Sequence, residues 1–234
     1  MSPTSFEKNT TLRGFISYST KDRREGGKVK EALAELGVEC FLAHDDLRVS
    51  EEWKARILEE LRAAHIFVAL LSKSFLESQW APQELGFVVA RPEVLIVPLI
   101  LDSTLPFGFI SHLQGHRYST AIASEWFIAP IAKKFPRQLI PLLIKRMSGA
   151  RSFRGAEALM RPLVPLFGDF NESEVEAFAE ASIGNGEIWD AGECATEFIP
   201  KFLHLHKDRM KAKQFKALSH QIEERSWYQR DQPS

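Results

Sequence analysis

Through its first half the chain alternates short apolar runs with amphipathic stretches, an order that fits a parallel sheet with helices on its faces. Five strands are expected. The first runs from Arg13 to Ser17, and a helix around Glu25 to Leu36 follows, with Val29, Leu33 and Leu36 on one face and Gly37 placed to stop it. A second strand, Glu39 to Leu42, leads into a polar loop at Ala43 to Val49, after which Ser50 is placed to cap a helix carrying Trp53, Ile57 and Leu61. Ile66 to Leu71 is the third strand. Ser72 to Trp80 reads as polar and irregular, Pro82 suits a first helical turn, and that helix is expected to run to about Ala90. Val94 to Leu101 makes a fourth strand and His116 to Ser119 a short fifth.

From Thr120 the pattern changes to helical periods with no strand-like run, which places a boundary near Tyr118 to Ser124. The expected organisation is an α/β domain over residues 1–119, an all-α domain over 120–221 and a frayed or disordered tail over 222–234. Within the helical part, shifting Phe153, Ala156, Leu163, Val164, Pro165 and Phe167 by 35 positions lands on Ile188, Ala191, Phe198, Ile199, Pro200 and Phe202. That spacing fits helix-hairpin repeats of HEAT-like size, or two amphipathic helices with similar apolar spacing.

Composition narrows the function classes. The 234 residues hold one large domain or two small ones, and 44% apolar with 26% charged residues is an ordinary globular balance. With 30 basic against 31 acidic side chains there is no electrostatic reason to expect nucleic acid. Only Lys207 to Lys216 is locally basic, and it reads as a solvated helix face. Cys40 and Cys194 form neither a disulfide framework nor a zinc knuckle, which fits a reducing, cytoplasmic setting; Cys40 itself reads as a core strand residue. The opening MSPTSFEKNTTL lacks the charged-then-apolar order of a signal peptide. The apolar run at Val94 to Leu101 is far short of the roughly 20 residues that span a bilayer, so no membrane is expected.

In an open parallel sheet of order 2-1-3-4-5, ligands bind beyond the carboxyl ends of strands one and three, where the connections change face. Ser17, Tyr18 and Ser19 follow strand one there, and Ser72, Lys73 and Ser74 follow strand three. Trp80 and Glu84, four apart on the next helix, share a face one turn apart, which sets an aromatic surface beside a carboxylate. No GxxxxGK and no GxGxxG is present, so a nucleotide kinase or dinucleotide-type dehydrogenase is not expected. His112 and His116 lack a third ligand, and no metal site is expected. His204 and His206, two apart, read as solvated, and nothing argues for acyl transfer.

Three stretches carry a family resemblance. Phe15-Ile16-Ser17-Tyr18-Ser19, Cys40-Phe41-Leu42-Ala43-His44-Asp45-Asp46-Leu47, and Ser74 to Gly86 with Trp80-Ala81-Pro82-Gln83-Glu84, in this order and at domain spacing, resemble a bacterial TIR (Toll/interleukin-receptor) domain from Arg13 to about Arg117. Pro106 to Ile110 looks like the segment before the last strand in bacterial members. The resemblance implies a flavodoxin-like sheet and, as in many bacterial and plant members, cleavage of the nicotinamide glycosidic bond of NAD+. On that reading Glu84 is the catalytic residue, NAD+ is the substrate and no cofactor is needed. The substrate contacts would be Ser17, Tyr18, Ser19, Phe41, Ala43, His44, Asp45, Ser74 and Trp80. Many members have Trp-Cys before the glutamate where this chain has Trp80-Ala81-Pro82, a difference read as structural.

The implied activity is that of an NAD+ glycohydrolase or an ADP-ribosyl cyclase in antiphage defence or immune-type signalling. Its expected partners are NAD+, further copies of the chain through the TIR and helical domains, and an upstream trigger or downstream effector protein. The alternative is a non-catalytic TIR interaction module or a host-directed TIR effector.

Overall fold

Ile66 to Leu71 is six apolar residues with no polar interruption, and every one is buried, as a strand covered on both faces requires. In the computed structural model, which describes residues 11–42, 51–119 and 125–230, this run is β3. Strands β1 (Arg13–Ser17), β2 (Glu39–Leu42), β4 (Leu95–Ile100) and β5 (His116–Arg117) join it in one parallel sheet of order β2-β1-β3-β4-β5. This is the expected α/β, flavodoxin-like arrangement, followed by a chain that is mostly helical. Register sets Phe15 between Phe41 and Phe67, and Ser17 opposite Ala69.

The two faces take different helices because side chains alternate along each strand. Phe15, Phe67, Ala69 and Leu71 pack against Ile57 and Leu61 of α2 (Glu51–Ala63) and against Ala81, Leu85 and Val88 of α4 (Ala81–Val89). Each such side chain taken from water stabilises the fold by roughly 1.5–3 kcal/mol. α1 (Arg23–Ala34) buries Val29 and Leu33 and packs on β1 and β2. It is closed by Gly37 at φ 69°, where the Val38 and Gly37 amides donate to Leu33 and Ala34 carbonyls in the pattern that only a left-handed residue permits without strain. The cap expected at Ser50 lies outside the described residues.

Between β3 and α4 the sequence reading is corrected. Ser72 to Trp80 is not irregular throughout: Lys73–Glu77 forms α3, with Ser72 accepting a hydrogen bond from the Phe75 amide at 3.0 Å. Five residues are too few to display an apolar period, so only the capping serine signals this helix.

The chain divides into two compact units, residues 1–134 and 135–234. α5 (Glu125–Lys134) belongs to the first, where it packs on β4 and the Lys134 ammonium donates to the Pro92 and Val94 carbonyls at 2.7 and 3.0 Å. The second unit contains α6 (Pro136–Ser148), α7 (Phe153–Met160), α8 (Glu172–Gly184), α9 (Gly186–Trp189), α10 (Ile199–His206) and α11 (Ala212–Arg230). A 3-10 turn at Val164–Asp169 and a π turn at Cys194–Phe198 complete it.

Its core is aromatic. Phe178 and Phe202 lie 4.2 Å apart between ring centroids, and Phe167 meets both edge-on at 5.2 and 5.4 Å. Phe167 and Phe202 are one of the pairs related by 35 positions, and Ala156 and Ala191, another pair, are both fully buried. Phe153 is 48% exposed whereas Ile188 is buried, and the first copy continues as a 3-10 turn where the second continues as α10.

His206 also departs from its expected solvated role, while His204 is exposed as expected. His206 is 1% exposed, with Nδ1 3.2 Å from Arg209 Nη1 and Nε2 2.9 Å from the Phe167 carbonyl. A guanidinium only donates, so Nδ1 is the acceptor and Nε2 carries the proton. The basic run is likewise less free than it reads: Arg209 also donates to the Phe170 carbonyl at 2.6 Å, and Lys211 pairs with Glu176.

Candidate active site

Glu84 sits in the first turn of α4, a helix whose start is set by Ser78 and Pro82. The Ser78 hydroxyl accepts from the amides of Trp80 and Ala81, both at 3.3 Å, and proline falls where a helix has no internal acceptor for its N–H. The Glu84 amide donates to the Trp80 carbonyl at 2.9 Å, which makes the two residues neighbours one turn apart. Trp80 is half-buried. Glu84 is 2% exposed.

A buried carboxylate needs donors, and among the described residues Glu84 has one. The Ser17 hydroxyl, at the end of β1, donates to Oε2 at 2.6 Å, whereas Oε1 is buried with no hydrogen-bond partner among the described residues. Burial pushes the Glu84 carboxyl up to about 7, and the Ser17 hydrogen bond opposes that rise. A carboxyl raised this far toward neutral pH by burial in a crevice marks a candidate functional group.

A second serine–carboxylate bond spans the same crevice. Ser72, just after β3, donates to Asp22 Oδ2 at 2.7 Å, and Asp22 closes the 3-10 turn Thr20–Asp22 that follows β1. Burial raises the Asp22 carboxyl above its ordinary value, and the Ser72 bond lowers it. Beyond β4, Asp102 accepts from the Lys73 amide at 2.8 Å and the Thr104 amide at 2.7 Å, and these bonds hold its carboxyl low. Asp22 and Asp102 carried no signal in the chain, because their partners are 50 and 29 positions away or arise from a helix too short to read.

The expected contact residues separate into groups. Ser17, Trp80 and Glu84 come together. Tyr18 is fully buried on the other side of the sheet, since a Cβ placed on Gly26 of α1 would lie 3.6 Å from its ring. Ser19 caps the 3-10 turn after β1, and Ser74 is half-buried in α3. Phe41 lies on the Glu84 side of the sheet, tilted against Phe15 at 5.5 Å and Trp53 at 6.0 Å. Ala43, His44 and Asp45 lie outside the described residues.

Cys40 is half-buried in β2, and burial pushes its thiol up to about 12, so it is an inert packing residue at neutral pH. Among the described residues, no group of three His, Cys, Asp or Glu side chains is placed to hold a metal ion, and no helix is long and apolar enough to cross a membrane.

Set against known families, residues 15–127 match the model of the TIR domain, a segment that takes in the end of β1, the other four strands, the Ser17–Glu84 pair and the start of α5. Over that segment, just under half of its length, the chain is similar to TIR domains, a class used generally for signalling or for NAD+ cleavage. No curated protein matches the chain.

Proposed function

We propose that the first unit cleaves the bond between nicotinamide and ribose in NAD+, with Glu84 as the catalytic residue. The observation that carries this reading is the state of its carboxylate: buried, held at one oxygen by Ser17, and with Oε1 lacking a partner among the described residues. Glycosidases ordinarily use two carboxyl groups, one to protonate the leaving group. Nicotinamide departs from a cationic pyridinium as a neutral molecule, so no general acid is required. What is left is positive charge developing on the ribose. A carboxylate accepting from the ribose hydroxyls through Oε1 stabilises that charge, and does so most strongly where water is excluded. Trp80, one turn before Glu84, would be an aromatic wall for the nicotinamide or ribose.

Capture of the cation by water would yield ADP-ribose, and capture by a group within the bound ADP-ribose would yield a cyclic product. The reading places the reaction in antiphage defence or immune-type signalling, with the helical second unit driving self-association or sensing a trigger. A non-catalytic interaction module is the second reading. It is favoured by Leu105 and Phe109, which stand 63% and 82% exposed between β4 and β5 and offer an apolar contact surface.

The test is to incubate the full-length protein at several concentrations with NAD+ and separate nicotinamide, ADP-ribose and cyclic products by chromatography and mass spectrometry. Release of nicotinamide that falls at least about 100-fold in Glu84→Gln supports the enzyme, on the scale typical of lost electrostatic stabilisation. Turnover unchanged by Glu84→Gln would overturn the assignment.

A further inference from the structure

We propose that Ser17 is a positioning residue for Glu84: its hydroxyl holds Oε2 so that Oε1 is the oxygen presented to substrate. The inference rests on the reading of Glu84 as the catalytic residue and replaces the expectation that Ser17 contacts substrate itself. Ser17 is fully buried, and its single O–H is already donated to Glu84 across 67 positions of sequence. It ends β1 on the side of the sheet lined by Phe15, Phe67 and Ala69, an apolar layer in which a hydroxyl is tolerated only while it is bonded.

The geometry has a consequence for charge. Glu84 has no other protein donor among the described residues, so the Ser17 bond is the interaction that favours its ionised form against burial. Fixing Oε2 also removes rotation of the carboxylate, which leaves Oε1 in one place for a ribose hydroxyl. Alanine at position 17 adds no bulk but leaves both oxygens without a donor among the described residues.

The experiment measures NAD+ turnover against pH for the full-length protein, Ser17→Ala and Glu84→Gln, together with unfolding free energy against pH for these and the double variant. In Ser17→Ala the acidic limb of kcat is expected to move up by about one pH unit, lowering kcat at pH 7 about five-fold with KM nearly unchanged. The Glu84 titration, taken as the difference in unfolding between each protein and its Glu84→Gln counterpart, should move up equally. An unmoved limb, or a raised KM at constant kcat, would overturn the proposal, the latter because it would mean direct substrate contact. If the wild-type protein shows no turnover, or Glu84→Gln retains it, the reading of Glu84 as catalytic falls on its own; the unfolding titration still decides whether Ser17 controls the carboxylate. Should Ser17→Ala fail to fold, Ser17→Cys, which keeps the shape but donates weakly, is read in the same way.

Discussion

Ser72, the residue after β3, donates to Asp22 at the end of the turn that follows β1. The converse bond runs from Ser17, the end of β1, to Glu84 in the helix that follows β3 by way of α3. The two bonds cross the crevice at the centre of the sheet in opposite senses, so the connections after β1 and β3 are each tied to the other strand's end. A site built this way is held by side chains rather than by a phosphate-cradling loop.

Glu84 makes the first unit sensitive to pH. Its folded value, about 7, lies above its ordinary 4.5, so the stability it contributes is fully present below 4.5 and is lost as pH rises through 7. Glu84→Gln is therefore expected to unfold at higher denaturant than wild type above pH 7, by up to about 3 kcal/mol, with the advantage shrinking to nothing near pH 4.5. Denaturant titrations across that range check it, and an advantage independent of pH would contradict the burial argument.

Ser72 serves two purposes, capping α3 through the Phe75 amide and bonding Asp22. Ser72→Ala is expected to cost about 2 kcal/mol from the lost cap and the stranded carboxylate together. Asp22→Asn, which preserves an acceptor for the Ser72 hydroxyl, should cost clearly less. Equilibrium unfolding of the two variants gives the comparison.

In the second unit the pH dependence has the opposite sign. His206 is held neutral by burial and by the Arg209 guanidinium, and its pKa lies below the ordinary 6.5. Its contribution is present above 6.5 and lost as pH falls through the lowered folded value. The protection of the α8 and α10 amides, measured as exchange relative to the intrinsic rate at each pH, should fall between about pH 7 and pH 5, and His206→Gln should flatten that response. The ring also stacks on Phe170, with centroids 6.1 Å apart, so some loss of protection at neutral pH accompanies the substitution.

Gly14 in β1 leaves room for β2. A Cβ there would stand 2.6 Å from the Cys40 sulfur and 3.1 Å from a Val38 methyl. Gly14→Ala is expected to destabilise the first unit by about 1–3 kcal/mol, and pairing it with Cys40→Ala should recover part of that cost, as a double-mutant cycle in thermal unfolding would measure.

Much of the sheet was legible because each of its strands is a local event. Ile66 to Leu71 declares a doubly buried strand by composition alone, and Gly37 declares the end of α1. α3 was hidden because five residues cannot show a period. His206 was misread for a related reason: two residues from the exposed His204, its burial depends on Phe167, Phe170 and Arg209 meeting it, which no local spacing announces.

The Trp80 and Glu84 pair was visible as helix spacing, and the sequence by itself determined that an aromatic residue and a carboxylate share one helical face near a strand end. Only the tertiary structure decided what that carboxylate is. Burial raises it to about 7 against the lowering pull of the Ser17 hydroxyl from 67 positions away, and Oε1 has no partner among the described residues; all three depend on β1 and α4 being packed side by side. Periodicity follows from bonds along the chain, whereas solvation and charge follow from what the folded chain brings near, and a single sequence records the first far more directly than the second.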